Sequence, residues 1–127
     1  MTLRTSVVQS YFDGFRRNDR RRILGCLADD VVWELPGIDR VSGKTAVARE
    51  IERLSFGSPR LAVHRLEEDT DVVVAKGIGE TPRRDGAADR FAFYDVFSFA
   101  GEAISRVESS RMPLPKGVGA ERIGRAA

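Results

Sequence analysis

Arg90-Phe91-Ala92-Phe93-Tyr94-Asp95-Val96-Phe97-Ser98-Phe99 reads as a β-strand, with an apolar side chain at nearly every second position. The alternation puts Phe91, Phe93, Asp95, Phe97 and Phe99 on one face and Tyr94 and Val96 on the other. One acid therefore sits among four phenylalanines. A carboxylate on so apolar a face loses its hydration, which disfavours the charged form and raises its pKa unless a cation or several donors compensate. Two readings follow: a protonated Asp95 that donates a hydrogen bond in a dry pocket, or an ionised Asp95 that accepts bonds from neighbouring backbone or an arginine.

The same period of two recurs around this stretch. Leu61 to Leu66, Val72 to Ile78 and Ile104 to Arg111 are predicted strands, joined by polar turns at Glu68 to Asp71, Thr81 to Asp89 and Ala100 to Glu102. Upstream, Val31 to Leu35 is a short strand stopped by Pro36-Gly37. The remaining N-terminal half is helical. Val7, Val8, Tyr11, Phe12 and Phe15 recur at helical spacing over residues 6–17, capped by Thr5 or Ser6. Ile23, Leu24 and Leu27 mark a second short helix that ends near Asp29-Asp30. Val47, Ile51 and Leu54 mark a third, over Thr45 to Leu54. Helices first and consecutive strands afterwards argue for α+β, with three N-terminal helices packed on a curved antiparallel sheet. One domain over residues 1–112 is expected. Pro113 to Ala127, rich in Gly, Pro, Ala and Arg, reads as a flexible tail.

The composition narrows the chemistry. The chain has 127 residues, too few for two ordinary domains, and 21 basic against 19 acidic side chains give a net charge of only +2. The densest basic run, Arg16 to Arg22, has no aromatic residue interleaved and reads as a solvated helix face, so no nucleic-acid partner is expected. No stretch approaches the roughly 18 apolar residues of a membrane span, and Met1 to Phe12 carries no apolar signal region. A cytoplasmic protein with no membrane partner is expected. One cysteine and one histidine leave no zinc cluster, so no metal and no cofactor are expected, and Cys26 reads as small core filler. Phosphate-loop, dinucleotide and Ser/His/Asp signatures are missing. Gly77-Ile78-Gly79 lies within a strand and does not open a helix.

Tyr11-Phe12-Asp13-Gly14-Phe15, then Asn18-Asp19, then Leu27-Ala28-Asp29-Asp30-Val31 resemble the opening of ketosteroid-isomerase-like and SnoaL-like proteins of the nuclear-transport-factor-2-like (NTF2-like) superfamily. Pro36-Gly37, Ser42-Gly43-Lys44 and Asp95-Val96-Phe97-Ser98-Phe99 continue the match over nearly everything except the tail. The resemblance implies a cone around an apolar pocket, usually in a homodimer, and a cofactor-independent cyclase or isomerase acting on a hydrophobic polyketide- or steroid-like carbonyl compound. It places Tyr11 and Asp95 where ketosteroid isomerases hold their oxyanion-hole donors. At the position of those enzymes' general base stands Leu35, which cannot accept a proton.

Replacement bases are Glu34, which alternation points away from Leu35, His64, which shares a strand face with Ala62 and Leu66, and Glu108. Phe15, Trp33, Leu35, Phe93 and Phe97 are the expected substrate-binding residues. Epoxide hydrolases of this fold use an Asp/Arg/Asp arrangement, and their last acid falls at Ser109 here. A non-catalytic ligand holder or dimeric adaptor is the other reading that Leu35 allows.

Overall fold

The structure is a computed structural model that describes residues 2–54 and 59–115. Thr2 opens the first helix, α1 (Leu3–Arg16), through a reciprocal capping box: Thr5 N–H donates to Thr2 Oγ1 at 3.2 Å and Thr2 N–H donates to Thr5 Oγ1 at 3.0 Å. The helix thus starts a turn before the expected cap, because Thr5 serves as the third helical residue of the box. Val8, Tyr11 and Phe12 form its buried stripe. Asn18 turns the chain at a φ of 52°, and Asp19 Oδ1 accepts from Arg22 N–H at 3.1 Å to cap α2 (Arg20–Gly25). A side chain at Gly14 would place its Cβ 2.5 Å from Ile23 Cγ1, so glycine there lets α1 and α2 touch.

Strand β1 (Leu27–Leu35) begins directly after α2, four residues earlier than the expected Val31. Asp29 and Asp30 look like a helix end in sequence, yet Leu27 already pairs with Ile104. Pro36 and Gly37, with φ +76° at Gly37, form a tight turn closed by Ile38 N–H on Leu35 C=O at 2.9 Å. It leads into a strand not expected from sequence, β2 (Asp39–Ser42), too short and too polar for its period to be read. Helix α3 (Lys44–Leu54) buries Val47 and Ile51 and carries the chain to the opposite edge of the sheet. There β3 (Arg60–Asp69), β4 (Val72–Pro82), β5 (Ala88–Ala100) and β6 (Ala103–Pro113) follow as a meander.

The order across the sheet is β2-β1-β6-β5-β4-β3. Three helices packed on a curved six-stranded sheet give the expected α+β cone, with one correction: the sheet is mixed, because β1 lies parallel to β6. No hairpin joins these two strands, so nothing in the local chain sets their relative direction. The core fills the space between helices and sheet, with Val8, Ile23, Val31, Val73, Phe97, Ile104 and Val107 fully enclosed. Three arginines of the basic run are ion-paired: Arg16 with Asp13, Arg20 with Glu52 and Arg22 with Asp19. Strand β6 extends through Pro113, and Leu114 N–H still donates to Arg90 C=O at 2.9 Å; residues 116–127 of the expected tail lie outside the described residues.

Candidate active site

The site is built on the inner face of β5 and on two glycines opposite it. Gly77 pairs with Phe93 and Gly79 with Phe91 across β4 and β5. A Cβ on Gly79 would lie 2.4 Å from Phe91 Cζ, and one on Gly77 would lie 2.7 Å from Phe93 Cζ and 2.0 Å from Ala62 O. The phenyl rings therefore lie over bare backbone, where any side chain would have lifted them. Next along β5 comes Asp95, 6% exposed, then the enclosed Phe97. From α1, the Tyr11 ring meets Phe97 edge-on at 5.2 Å and Phe15 at 5.0 Å, which fixes the phenol above the strand.

A cavity of ≈ 170 Å³ remains between α1 and the sheet, walled by Tyr11, Phe15, Trp33, Phe91, Phe93 and Asp95, with Ser109 and Arg111 entering from β6. Asp95 and Ser109 are directly paired across β5 and β6, and Ser109 Oγ donates to Asp95 Oδ1 at 2.7 Å. Burial pushes the Asp95 carboxyl up to about 6; the Ser109 hydrogen bond and the positive charge of Arg111 hold it from rising further. Burial also pushes the Tyr11 phenol well above its ordinary value, with Asp95 adding to the rise and Arg111 opposing it, so Tyr11 is a neutral hydrogen-bond donor throughout the physiological range. The Trp33 indole lies near enough to the Tyr11 oxygen to favour its anion, yet among the described residues no acceptor meets its buried Nε1 at hydrogen-bonding distance and angle. An orphaned donor of this kind costs about 1–3 kcal/mol.

The sequence matches the SnoaL-like domain over residues 8–107. The chain belongs to the SnoaL-like domain family. No curated protein sequence matches it significantly. Solved structures share the fold of this SnoaL-like domain at low identity. An LEH-like epoxide hydrolase of M. tuberculosis is 18% identical, with a TM-score of 0.78 over 85% of this chain and 77% of its own. A putative ketosteroid isomerase of Kribbella flavida is 21% identical, with a TM-score of 0.72 over 94% and 86%. A putative polyketide cyclase of Xanthomonas campestris is 23% identical, with a TM-score of 0.70 over 86% and 92%.

Within the SnoaL-like domain, Tyr11, Phe15, Trp33, Phe93 and Asp95 line the cavity, and five other expected site residues, Phe97, Leu35, Glu34, Glu108 and His64, do not. Phe97 is enclosed beneath Tyr11 as core. Leu35 ends β1 beside the turn, half-buried and away from the cavity. Glu34 points to the outer face, where Arg106 bonds both it and, at 3.0 Å, Glu108. Alternation alone places all three there, because Trp33 and Val107 take the inner positions. His64 is exposed: the pairing of β3 with β4 shifts register between Val63 and Arg65, and this bulge turns the ring out of phase with the buried Ala62. A similar shift between Ser98 and Phe99 takes Phe99 to the edge of the core, under the Arg4 guanidinium at 5.3 Å.

Ser109 and Arg111 are the site residues that sequence reasoning undervalued. The signal for them is the alternation Val107, Ser109, Arg111, which faces β5 inward once the register through the Gly101 turn is known. Cys26 donates its thiol to Arg22 C=O at 3.3 Å, and burial pushes its pKa up, as suits a packed rather than a reactive sulfur. Among the described residues no group of three or more His, Cys, Asp or Glu side chains is placed to hold a metal ion, and no helix is long and apolar enough to cross a membrane.

Proposed function

We propose that this SnoaL-like domain is a cofactor-independent acid–base enzyme acting on a small hydrophobic carbonyl compound. One observation carries the reading: Asp95 is the only carboxylate lining the apolar cavity among the described residues, and it shares that space with a phenol that stays protonated. Tyr11 donates to the carbonyl oxygen. Ionised Asp95 takes a proton from the carbon next to that carbonyl, and the electron pair moves onto the oxygen, where Tyr11 stabilises the enolate. Protonated Asp95 then returns its proton to the same or the conjugated carbon, which restores the enzyme. The orphaned Trp33 N–H supplies a second donor for the oxygen.

This assigns Asp95 a broader role than a permanently protonated oxyanion donor. A pKa near 6 lets it work in both directions close to neutrality, and with Leu35, Glu34, His64 and Glu108 outside the cavity it takes the place of the separate base. The test is deuterium exchange from solvent at the carbon next to the carbonyl of a panel of cyclic ketones. Loss of exchange in Asp95→Asn together with a strong reduction in Tyr11→Phe supports the mechanism; exchange indifferent to both substitutions removes it. The single acid in the cavity also suits a non-catalytic ligand holder, which would bind the same ketones without exchange. Self-association is proposed for the outer sheet face, where Tyr94 is 44% and Met112 65% exposed, and light scattering that shows only monomer at micromolar concentration would refute it.

A further inference from the structure

We propose that Arg111 is the recognition residue for an anionic substituent, and that the ligand is accordingly a compact single-ring carbonyl or phenol compound bearing a carboxylate. The inference rests on the cavity being a carbonyl or phenol site and adds the charge and size of what enters it. Size comes from the space: ≈ 170 Å³ is close to the roughly 150 Å³ of a dry engineered cavity that accepts benzene, and below the roughly 300 Å³ at which ordinary drug-sized pockets begin. One ring with short substituents fits, and a four-ring skeleton would have to extend out of the cavity.

Charge comes from the partners of Arg111. Other arginines of the sheet and of α1 are already occupied: Arg90 and Arg60 both hold Glu80, and Arg16 holds Asp13. Arg111 takes part in no ion pair among the described residues. Asp95, the one carboxylate in the same cavity, is tied to Ser109 and is not within ion-pair distance. The guanidinium instead lies over the Phe91 ring, 4.5 Å from its centroid, which orients its plane while leaving its edge donors unused by any acid among the described residues. Strand β6 places it two residues beyond Ser109 on the inner face, opposite Phe93, yet the residue is exposed. A cation at the open end of an apolar pocket keeps much of its hydration until an anion arrives. A planar, pre-oriented fork suits a carboxylate, which it can hold through two parallel hydrogen bonds.

The experiment compares 4-hydroxyphenylacetate with 4-hydroxyphenylacetamide, two probes of equal shape that differ in charge, by quenching of Trp33, the only indole, at pH 7.5 and low salt. The wild type is expected to bind the carboxylate at least tenfold more tightly than the amide. Arg111→Gln brings the ratio to about one, Arg111→Lys restores part of it, and 0.5 M salt reduces it; unchanged unfolding midpoints show that both variants fold. A wild-type ratio near one, or a ratio that survives in Arg111→Gln, overturns the proposal, as does failure of both probes to bind at millimolar concentration. Tyr11→Phe and Asp95→Asn separate the two ideas. If they leave both affinities unchanged while the Arg111-dependent ratio persists, anion recognition stands and the acid–base reading falls. If Tyr11→Phe weakens the amide and no charge preference exists, the reverse holds.

Discussion

The two faces of β5 and β6 hold carboxylates in opposite ways. On the outer face, Glu34 and Glu108 share Arg106, and a cation–π contact joins Lys76 to Tyr94 at 5.2 Å. On the inner face, one residue away along each strand, Asp95 has a serine hydroxyl for a partner and phenylalanines for neighbours. The outer acids lie beside an opposite charge and within reach of water. The inner acid has no ion pair and little water, and the Ser109 hydroxyl and the charge of Arg111 only partly offset its burial, so its negative charge comes at a cost that the fold must absorb. Such a cost, concentrated in a cavity, is what makes Asp95 a candidate site residue.

The largest difference between the faces is expected in catalysis. Asp95→Asn should lower proton exchange by about 10²-fold or more, and Glu34→Gln by less than about twofold. Equal effects from the two substitutions would erase the distinction. Tyr11→Phe should lower exchange by about 10²-fold, since one oxyanion donor is lost, with the midpoint of denaturant unfolding nearly unchanged.

The glycine floor comes next. Gly77→Ala should destabilise by about 2 kcal/mol in urea unfolding, because its new Cβ would sit 2.0 Å from Ala62 O and the sheet would have to part there. An unaltered midpoint would show that β3 and β4 move apart freely and that the floor of the cavity is soft.

A further effect is a pH dependence. The Asp95 carboxyl binds its proton more tightly in the folded chain, at about 6, than at the ordinary value of 3.8. The contribution of the protonated form to stability is therefore full below 3.8 and is lost as pH rises through 6. The wild type should lose stability relative to Asp95→Asn between pH 4.5 and pH 7.5, by about 2 kcal/mol. A difference that stays constant across that range would mean that Asp95 is ionised without penalty. The smallest effect belongs to the outer face, where Glu34→Gln should change stability by less than about 1 kcal/mol in 0.5 M salt.

The contents of the cavity are partly legible in the amino-acid sequence. Period-two alternation is a property of one strand, so β5 alone places Phe91, Phe93 and Asp95 on a common inner face, and helical spacing aligns Tyr11 with Phe15. Where local period misleads, a strand partner intervenes. The bulge after Val63 arises from how β3 pairs with β4, and it turns His64 outward against the alternation of its own segment. Leu35 and Trp33 share a phase, yet only Trp33 reaches the cavity, because β1 ends at the Pro36-Gly37 turn before Leu35 could contribute. The glycines of β4 look like a failed nucleotide motif and prove to be seats for two phenylalanine rings.

The sequence by itself determined the helix-then-strand order, the α+β class, the amphipathic face of α1 and the acid among aromatics on β5, since each follows from local period and side-chain chemistry. Only the tertiary structure decided that β1 joins β6 in parallel, that Ser109 is the hydrogen-bond partner of Asp95, that Arg111 stands at the same cavity with no ion pair among the described residues, and that Glu34 and His64 lie outside it. These depend on register and on bulges, which are set by hydrogen bonds between segments distant in sequence, and no local period records them.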